Sequence, residues 1–513
     1  MQQIFNEKLD RLARGKKPRL LDLFSGCGGL TLGFHRAGCD IIGGVEIDPY
    51  AAHSHAINFH SDIAQDLFEQ HLIPKDITLV NPHDLLMQYG YDHPISAVDI
   101  LVGGPPCPAF TRVGRAKLRE VREHPEAFRY DPRAKLYLPY LDYVKNLLPL
   151  AILMENVPDI MNFGGHNLAE EICDILQELG YNCTYTLLNS ANYGVPQMRE
   201  RFYLVGVHQS VEHEFKFPKP FRYIDFPQGY EGSRKVALKH VDQNNFFVKN
   251  HYVSTPLPLQ CAEPSVTVQE AIRDLPIIMG HLDGTIKRGT RRFDTSVSYR
   301  SDIEPSSYAY EMRNWPCFES DGKIWDHVIR SLSDRDYRIF RNMASGDDYP
   351  KAHALAEKLF QTALENLQKS GSLIESDRTR FEALQKEYVP PYSPNKFPNK
   401  WRKMEPNKPA RTLMAHLGKD TYSHIHYDSD QARVISVREA ARLQSFPDGF
   451  RFVGSMNPAF RQIGNAVPPL MAFALATPLL QTLDAKTNKF PCLDLIDSKQ
   501  NDLTEFIACL ETV

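Results

Sequence analysis

Asp22–Gly33 reads DLFSGCGGLTLG: the end of an apolar run, a glycine-rich turn, and a segment of helical character. The run leading into it, Lys17–Phe24 (KPRLLDLF), has the pattern of a buried strand. A turn of this kind lets a ligand approach the backbone N–H groups at a helix N-terminus. Glu46 follows Gly26 by 20 residues, at the end of the next apolar run. A carboxylate there accepts both hydroxyls of a ribose, so the pair points to an adenosine-containing cofactor. GCGG compresses the dinucleotide fingerprint G-x-G-x-x-G, which disfavours a nicotinamide oxidoreductase and leaves room for a cofactor without a pyrophosphate. The competing role for the turn is helix packing alone.

Outward from this turn the texture repeats. Asp40–Ile47 (DIIGGVEI), Asp99–Gly103 (DILVG), Leu150–Met154 (LAILM) and Arg201–Val207 (RFYLVGV) are apolar runs, with helical patterns such as Leu168–Leu179 between them. Apolar strands without polar alternation, separated by helices, predict an α/β fold with a mostly parallel sheet covered on both faces. The 42% hydrophobic and 24% charged residues exclude fibrous and wholly disordered classes. Lys and Arg number 59 against 63 Asp and Glu, a net charge of -4, so a polyanionic partner must meet local patches and not a global basic field. Nine cysteines without a CxxC pair support neither a disulfide framework nor a zinc site, and no metal is expected. The opening MQQIFNEKLDRLARGKKPRLLDLF has no apolar core of signal-peptide length, and no run of 18 apolar residues occurs, so the expected setting is cytoplasmic, with no membrane span.

Composition also divides the chain. Residues 1–210 form the first α/β block. From 211 to 429 prolines are frequent (FPKP, STPLPL, VPPYSP), aromatics are scattered among arginines, and the strand–helix alternation is lost. Within this region 351–388 predicts a helical hairpin, with Leu355, Leu359, Ala363 and Leu367 at helical spacing. Residues 430–485 return to the character of the first block, and 486–513 form an acidic tail.

Three further constellations carry candidate chemistry. GGPPCPAFTRVG (Gly103–Gly114) follows the DILV run, and its prolines fix the backbone just before Cys107, a candidate nucleophile whose competing role is an inert core thiol. MENVP (Met154–Pro158) places Glu155 and Asn156 at a strand end, as a hydrogen-bonding pair for a heterocycle edge or as a helix cap. In QMRER (Gln197–Arg201), Arg199 and Arg201 share a strand face and suit phosphate or carbonyl oxygens, or a surface ion pair.

Taken in order, DLFSGCGG, VEIDP, GGPPCP, ENV, QMRER, REAARLQSFPD (Arg438–Asp448) and RQIGNAVPP (Arg461–Pro469) resemble the C5-cytosine DNA methyltransferase family. The resemblance implies a Rossmann-like, S-adenosylmethionine-dependent methyltransferase fold with a large inserted target-recognition domain between QMRER and REAARLQSFPD. It implies S-adenosylmethionine lined by Phe24, Ser25, Gly26, Cys27, Gly28, Gly29 and Leu30, with Glu46 and Ile47 on the ribose and adenine, Asp76 (or Asp62) on the adenine, and Pro105, Leu136, Asn465 and Val467 completing the pocket. Asn465 reaches that pocket only if the C-terminal block folds back onto the first. The chemistry implied is addition of the Cys107 thiolate to cytosine C6, with Glu155 as the acid, Arg201 on the base and Arg199 on a phosphate or on Glu155. Two departures stand out: Pro108 replaces the usual Gln after the nucleophile, and Ile47 stands where an aromatic often stacks on adenine.

The implied partners are double-stranded DNA and, for a modification enzyme, a cognate restriction endonuclease, with the protein itself a monomer. Arg112 and Arg115 in the loop after Cys107 are expected at the phosphates around a flipped base. Lys287, Arg288, Arg291 and Arg292 form one local basic patch, and Lys396, Lys400, Arg402 and Lys403, interleaved with Phe397 and Trp401, form another; a solvated face is the alternative for each. Arg411–Asp428 is read as the return to the catalytic domain. The rival readings are a tRNA cytosine methyltransferase of the same fold, disfavoured by the long variable region, and a non-catalytic DNA-binding regulator, disfavoured by intact Cys107, Glu155 and both arginines.

Overall fold

The structure is a computed structural model that describes residues 1–106, 136–163, 166–227, 230–241, 250–285, 295–370, 378–419 and 421–485. The chain divides into two compact units: Met1–Ser265 with Arg451–Val453 and the segment from Asn465 onward, and Val266–Phe450 with Gly454–Gly464.

The first unit is the predicted α/β layer structure. In chain order its main elements are helix α1 (Gln2–Ala13), strand β1 (Arg19–Leu23), helix α2 (Gly29–Ala37), strand β2 (Asp40–Val45), helix α3 (Pro49–Phe59), strand β3 (Ile100–Gly103), helix α4 (Tyr137–Leu147), strand β4 (Ala151–Asn156), helix α5 (Leu168–Glu178), strands β5 (Tyr181–Asn189) and β6 (Glu200–His208), and helix α6 (Tyr230–Ala237). The sheet runs β2-β1-β3-β4-β6-β5. Neighbours from β2 to β4 are parallel, and β6 lies antiparallel between β4 and β5. The apolar residues of the central strands β1, β3 and β4 are fully buried because both faces are covered: Leu20, Leu21, Leu23, Leu101, Val102, Ile152 and Leu153 have no exposed surface.

Local signals explain the ends. Asp48 caps α3, its carboxylate accepting from the Tyr50 and Ala51 N–H groups, with Pro49 at the first helical position. Gly38 ends α2 in the left-handed region at φ 114°. The C-terminal helix Pro469–Thr482 lies along α2, and two glycines of α2 make that approach possible. A Cβ on Gly29 would stand 2.2 Å from the Val467 carbonyl oxygen, and one on Gly33 would stand 2.4 Å from Ala472 Cβ. The apolar stretch Met456–Thr482 is long enough to cross a membrane, but 89% of its most apolar window is buried, as in a core helix. Helix α1 is tied down by Lys8, whose buried Nζ donates to the carbonyls of Val98, Leu147 and Leu148 at 2.7, 2.9 and 2.7 Å.

The division of the chain differs from the compositional reading at both ends of the variable region. The first unit extends to Ser265, not to 210, because the proline-rich segment is strapped onto the sheet by backbone bonds. Tyr185 on β5 donates to the His251 carbonyl and accepts from the Val253 N–H, and Arg222–Tyr223 pair in parallel with Glu263–Pro264. Arg411–Asp428 and the REAARLQSFPD segment belong to the second unit, not to the first as expected for 430–485. The reason is a set of buried arginines. Arg433 binds Glu439 through both nitrogens at 2.7 Å, Arg442 holds Asp448 at 2.6 and 2.7 Å and reaches Asp274, and Arg438 donates to the carbonyls of Trp325, Pro447 and Phe450.

The second unit packs Tyr337, Phe340, Tyr349, Trp401, Ile425 and Val434 into its own core. The predicted hairpin is present as Tyr349–Lys369 and Arg378–Tyr388, joined by the edge contact of Phe360 and Phe381 at 5.3 Å. Its buried face is Ala352, Ala356 and Phe360; Leu355, expected as a core position, is only half-buried.

Candidate active site

The carboxyl ends of β1, β2, β3 and β4 carry the predicted residues. After β1 the chain turns through Phe24 at φ 57°, Gly26 at 55° and Gly28 at 101°. A left-handed phenylalanine is strained, and the rigid strand before it and helix after it hold it there. The glycines of this turn do different jobs. A Cβ on Gly28 would stand 2.4 Å from the Phe59 ring, so Gly28 and Gly29 owe their lack of a side chain to packing, whereas Gly26 has nothing within 4 Å of that position. The open side of the turn is at Gly26. Cys27 is fully buried and burial pushes its thiol up, so it is an inert core cysteine. Leu30 is buried at the start of α2.

Glu46 is fixed beside Gly26. Its Oε2 accepts from the Gly26 N–H at 2.9 Å and its Oε1 from the Asp48 N–H at 2.7 Å. Burial raises its pKa, against the pull of these hydrogen bonds. Ile47 is 63% exposed beside it. The Lys75 N–H donates to the Glu46 carbonyl at 2.7 Å, which brings Asp76 to the end of β2. Asp76 is half-buried and accepts from Thr78 N and Oγ1 at 3.0 and 2.7 Å, holding its pKa down. Ser25 Oγ is buried with no hydrogen-bond partner among the described residues. An open glycine turn, an orphaned hydroxyl and a fixed carboxylate fit an adenosine cofactor. Leu136, half-buried, packs against the core at the start of α4. The predicted fold-back is present in the Val467–Gly29 approach; Val467 is buried, and Asn465, two residues earlier, is exposed.

At the end of β4, Glu155 meets Arg201 on β6, with Arg201 Nε 3.2 Å from Glu155 Oε1. Both are mostly shielded from water. The antiparallel register sets Glu155 opposite Tyr203, so Glu155, Arg201 and Tyr203 share one face of the sheet. Burial raises the Glu155 pKa, and the charges of Arg201 and Arg199 oppose the rise. Arg199 is so deeply buried that desolvation and then Arg201 pull it down to about 9, still a cation at neutral pH. Asn156 Nδ2 donates to the Pro105 carbonyl at 3.2 Å, and Glu155 Oε2 lies 3.1 Å from where a Cβ on Gly104 would stand. The acid is therefore built against the loop that leads into Cys107. Cys107, Arg112 and Arg115 lie outside the described residues, as do Lys287, Arg288, Arg291 and Arg292.

A model of the C-5 cytosine-specific DNA methylase family matches residues 19–481. The chain belongs to that family. It is an enzyme family, and relatives of this chain include type II methyltransferases. A candidate type II methyltransferase of Oceanobacillus iheyensis, M.OihORF3336P, is 37% identical over 90% of this chain and 95% of its own length. The type II methyltransferase M.AgeI of Thalassovita gelatinovora is 28% identical over 89% of this chain and 98% of its own. A crystal structure of a candidate DNA modification methyltransferase encoded within an Escherichia coli prophage has a similar fold, with a TM-score of 0.58, 23% identity and coverage of 91% of this chain and all of that one. In the methylase, then, the antiparallel β6 delivers Arg201 to Glu155 on β4, and Arg199 stands just before that strand.

The basic patch at 396–403 does not behave as one surface. Lys396 is exposed, Lys400 lies half-buried with its ammonium 4.0 Å from the Tyr392 ring, and Arg402 is half-buried. Lys403, expected at DNA, is instead a core residue: its Nζ donates to the carbonyls of Phe340 and Met343 at 2.9 Å each and to Ser429 Oγ at 2.6 Å. Trp401 is likewise in the core. Aromatic interleaving marked packing here. Asp22 was missed by motif reasoning, although a carboxylate inside RLLDL is itself a signal.

Proposed function

We propose that this methylase transfers a methyl group from S-adenosylmethionine to C5 of a cytosine flipped out of a specific duplex DNA sequence, as the modification half of a restriction–modification pair. The observation that carries the reading is the Glu155–Arg201 pair at the end of β4, set against Gly104 in the loop that enters Cys107. Cys107 adds as a thiolate to C6, and negative charge moves toward N3 of the base. Glu155, whose raised pKa favours the protonated form, donates to N3 and reads the exocyclic amine, while Arg201 holds O2. Arg199 keeps a positive charge beside that carboxyl. When bound, the cofactor supplies an activated methyl group on a sulfonium centre. Phe24, Ser25, Gly26 and Glu46 would hold it, with Ile47 and Asp76 toward the adenine and Pro105, Leu136, Asn465 and Val467 around the rest. The enamine-like C5 takes the methyl group, a base removes the C5 proton, and Cys107 leaves.

The part of the second unit before REAARLQSFPD, residues 266–429, carries none of the family motifs and is proposed as the reader of the sequence flanking the target, acting from a monomeric, cytoplasmic protein alongside a cognate endonuclease. Its size favours DNA over tRNA as substrate. Expression from a plasmid in a host lacking cytosine methylation, followed by base-resolution mapping of 5-methylcytosine on that plasmid, tests the reading. Methylation at one recurring sequence is expected; an unmethylated plasmid from a host making folded protein overturns it.

A further inference from the structure

Asp22 sits in β1 with 1% of its surface exposed, between leucines that are wholly buried. Its Oδ2 accepts from Thr31 Oγ1 of α2 at 2.7 Å, and Thr31 Oγ1 also meets His55 Nε2 of α3 at 3.1 Å. Its Oδ1 is buried with no hydrogen-bond partner among the described residues, and Asp22 makes no ion pair among them. The groups around it are Thr31, which bonds it directly, His55 behind Thr31, Cys27 from the glycine turn, Tyr140 from α4 and the second carboxylate, Glu46, from the end of β2. None is a cation: burial holds His55 neutral at physiological pH. Among the described residues Asp22 and Glu46 therefore flank the glycine turn as two carboxyl groups without a counter-ion, and Asp22 Oδ1 has no hydrogen-bond partner among them.

A carboxylate buried without a counter-ion is expensive, and the group keeps its proton. Burial pushes the Asp22 carboxyl up to about 7, with Thr31 opposing and Glu46 adding to the rise. A cation bound over the turn changes that balance. S-adenosylmethionine carries a permanent sulfonium charge that its thioether product, S-adenosylhomocysteine, has lost.

We propose that Asp22 is a specificity residue that makes the protein prefer the cationic cofactor to its neutral product, by ionising when the sulfonium is bound. The proposal rests on the S-adenosylmethionine reading above. Linkage requires that whatever the sulfonium gains from ionised Asp22 appears as a difference between the two affinities. Thr31 takes part, because its hydroxyl donates to the ionised form.

The test is calorimetric titration of wild type, Asp22→Asn and Thr31→Val with each nucleoside separately, at one pH near 7, in two buffers of different ionisation enthalpy. Asp22→Asn is expected to weaken S-adenosylmethionine about 5- to 10-fold, to leave S-adenosylhomocysteine within about twofold, and to release fewer protons on cofactor binding than wild type. Thr31→Val is expected to move the ratio of affinities the same way by less, which keeps the proposal open to test if the asparagine variant fails to fold. Equal weakening of both nucleosides, or an unchanged ratio in both variants, gives Asp22 a structural role only and overturns the proposal. Failure of wild type to bind either nucleoside removes the cofactor reading itself, and the proposal with it.

Discussion

At the scale of single residues, roles separate by what each side chain can reach. Cys107→Ala should abolish methyl transfer and leave cofactor affinity nearly unchanged, since in the proposed mechanism the thiol attacks the base and not the cofactor; DNA carrying 5-fluorocytosine should trap wild type covalently, and a mass-mapped adduct on another cysteine would displace Cys107. Glu155→Gln should lower kcat by about 10²- to 10⁴-fold, the range of a lost general acid, with KM for the cofactor little changed in steady-state assays. Lys403 belongs to a different class. Replacing it with Met leaves two buried carbonyls and the half-buried Ser429 hydroxyl short of a donor and should cost about 2–3 kcal/mol in chemical denaturation. Glu155, Arg199, Arg201 and Glu46 were legible in the sequence because each stands at the end of an apolar run, where strand geometry alone delivers it to one edge. Lys403 was not legible: a lysine among lysines and aromatics has the same pattern whether it faces solvent or three carbonyl and hydroxyl oxygens, and only long-range contacts decide.

Among the elements, α2 and its partner helix depend on the absence of two methyl groups. Gly33→Ala would drive a Cβ to 2.4 Å from Ala472, and overpacking of this kind should cost about 1–3 kcal/mol, read as a lower midpoint in denaturant. The segment after β2 carries a second dependence. His60 stacks on His71 at 3.7 Å and His71 on Tyr89 at 4.0 Å, and burial lowers His60 to about 4 and His71 to about 2. Both rings fold neutral, so the unfolded chain binds more protons below its ordinary histidine pKa near 6.5. Their contribution is complete above that pH and is lost as pH falls toward 4; for His60 alone this is about 3 kcal/mol. His60→Phe should flatten the acid limb of a stability–pH curve, and an unchanged limb would remove the stack from the account. The strands were legible from uninterrupted apolar runs; the proline-rich strap on β5 was not, because proline-rich backbone shows no periodicity and its pairing with Tyr185 rests on the bonds at His251 and Val253.

For the whole molecule, the net charge of -4 means that DNA affinity must come from local groups. Lys396 and Lys400 remain the testable part of the patch. Neutralising both should weaken binding to all sequences alike and reduce the salt slope by roughly 0.9 for each phosphate that no longer meets a cation, with the methylated sequence unchanged. An unchanged slope would make them a solvated face.

The route of the chain between its two units has a consequence for how such a protein can be recombined. The polypeptide leaves the first unit after Ser265, returns at Arg451–Val453, leaves again for Gly454–Gly464, and comes back at Asn465. A single exchangeable cassette therefore does not exist here. A chimera that imports only 266–450 inherits a foreign body with a native splint, and one that imports 266–464 carries away three residues whose backbone serves α3 through Ser54 and Asn58. Exchange of target choice between relatives should succeed only when two crossovers flank Arg451–Val453 and preserve it, a constraint that would be visible in shuffled libraries as survivors clustered at those junctions.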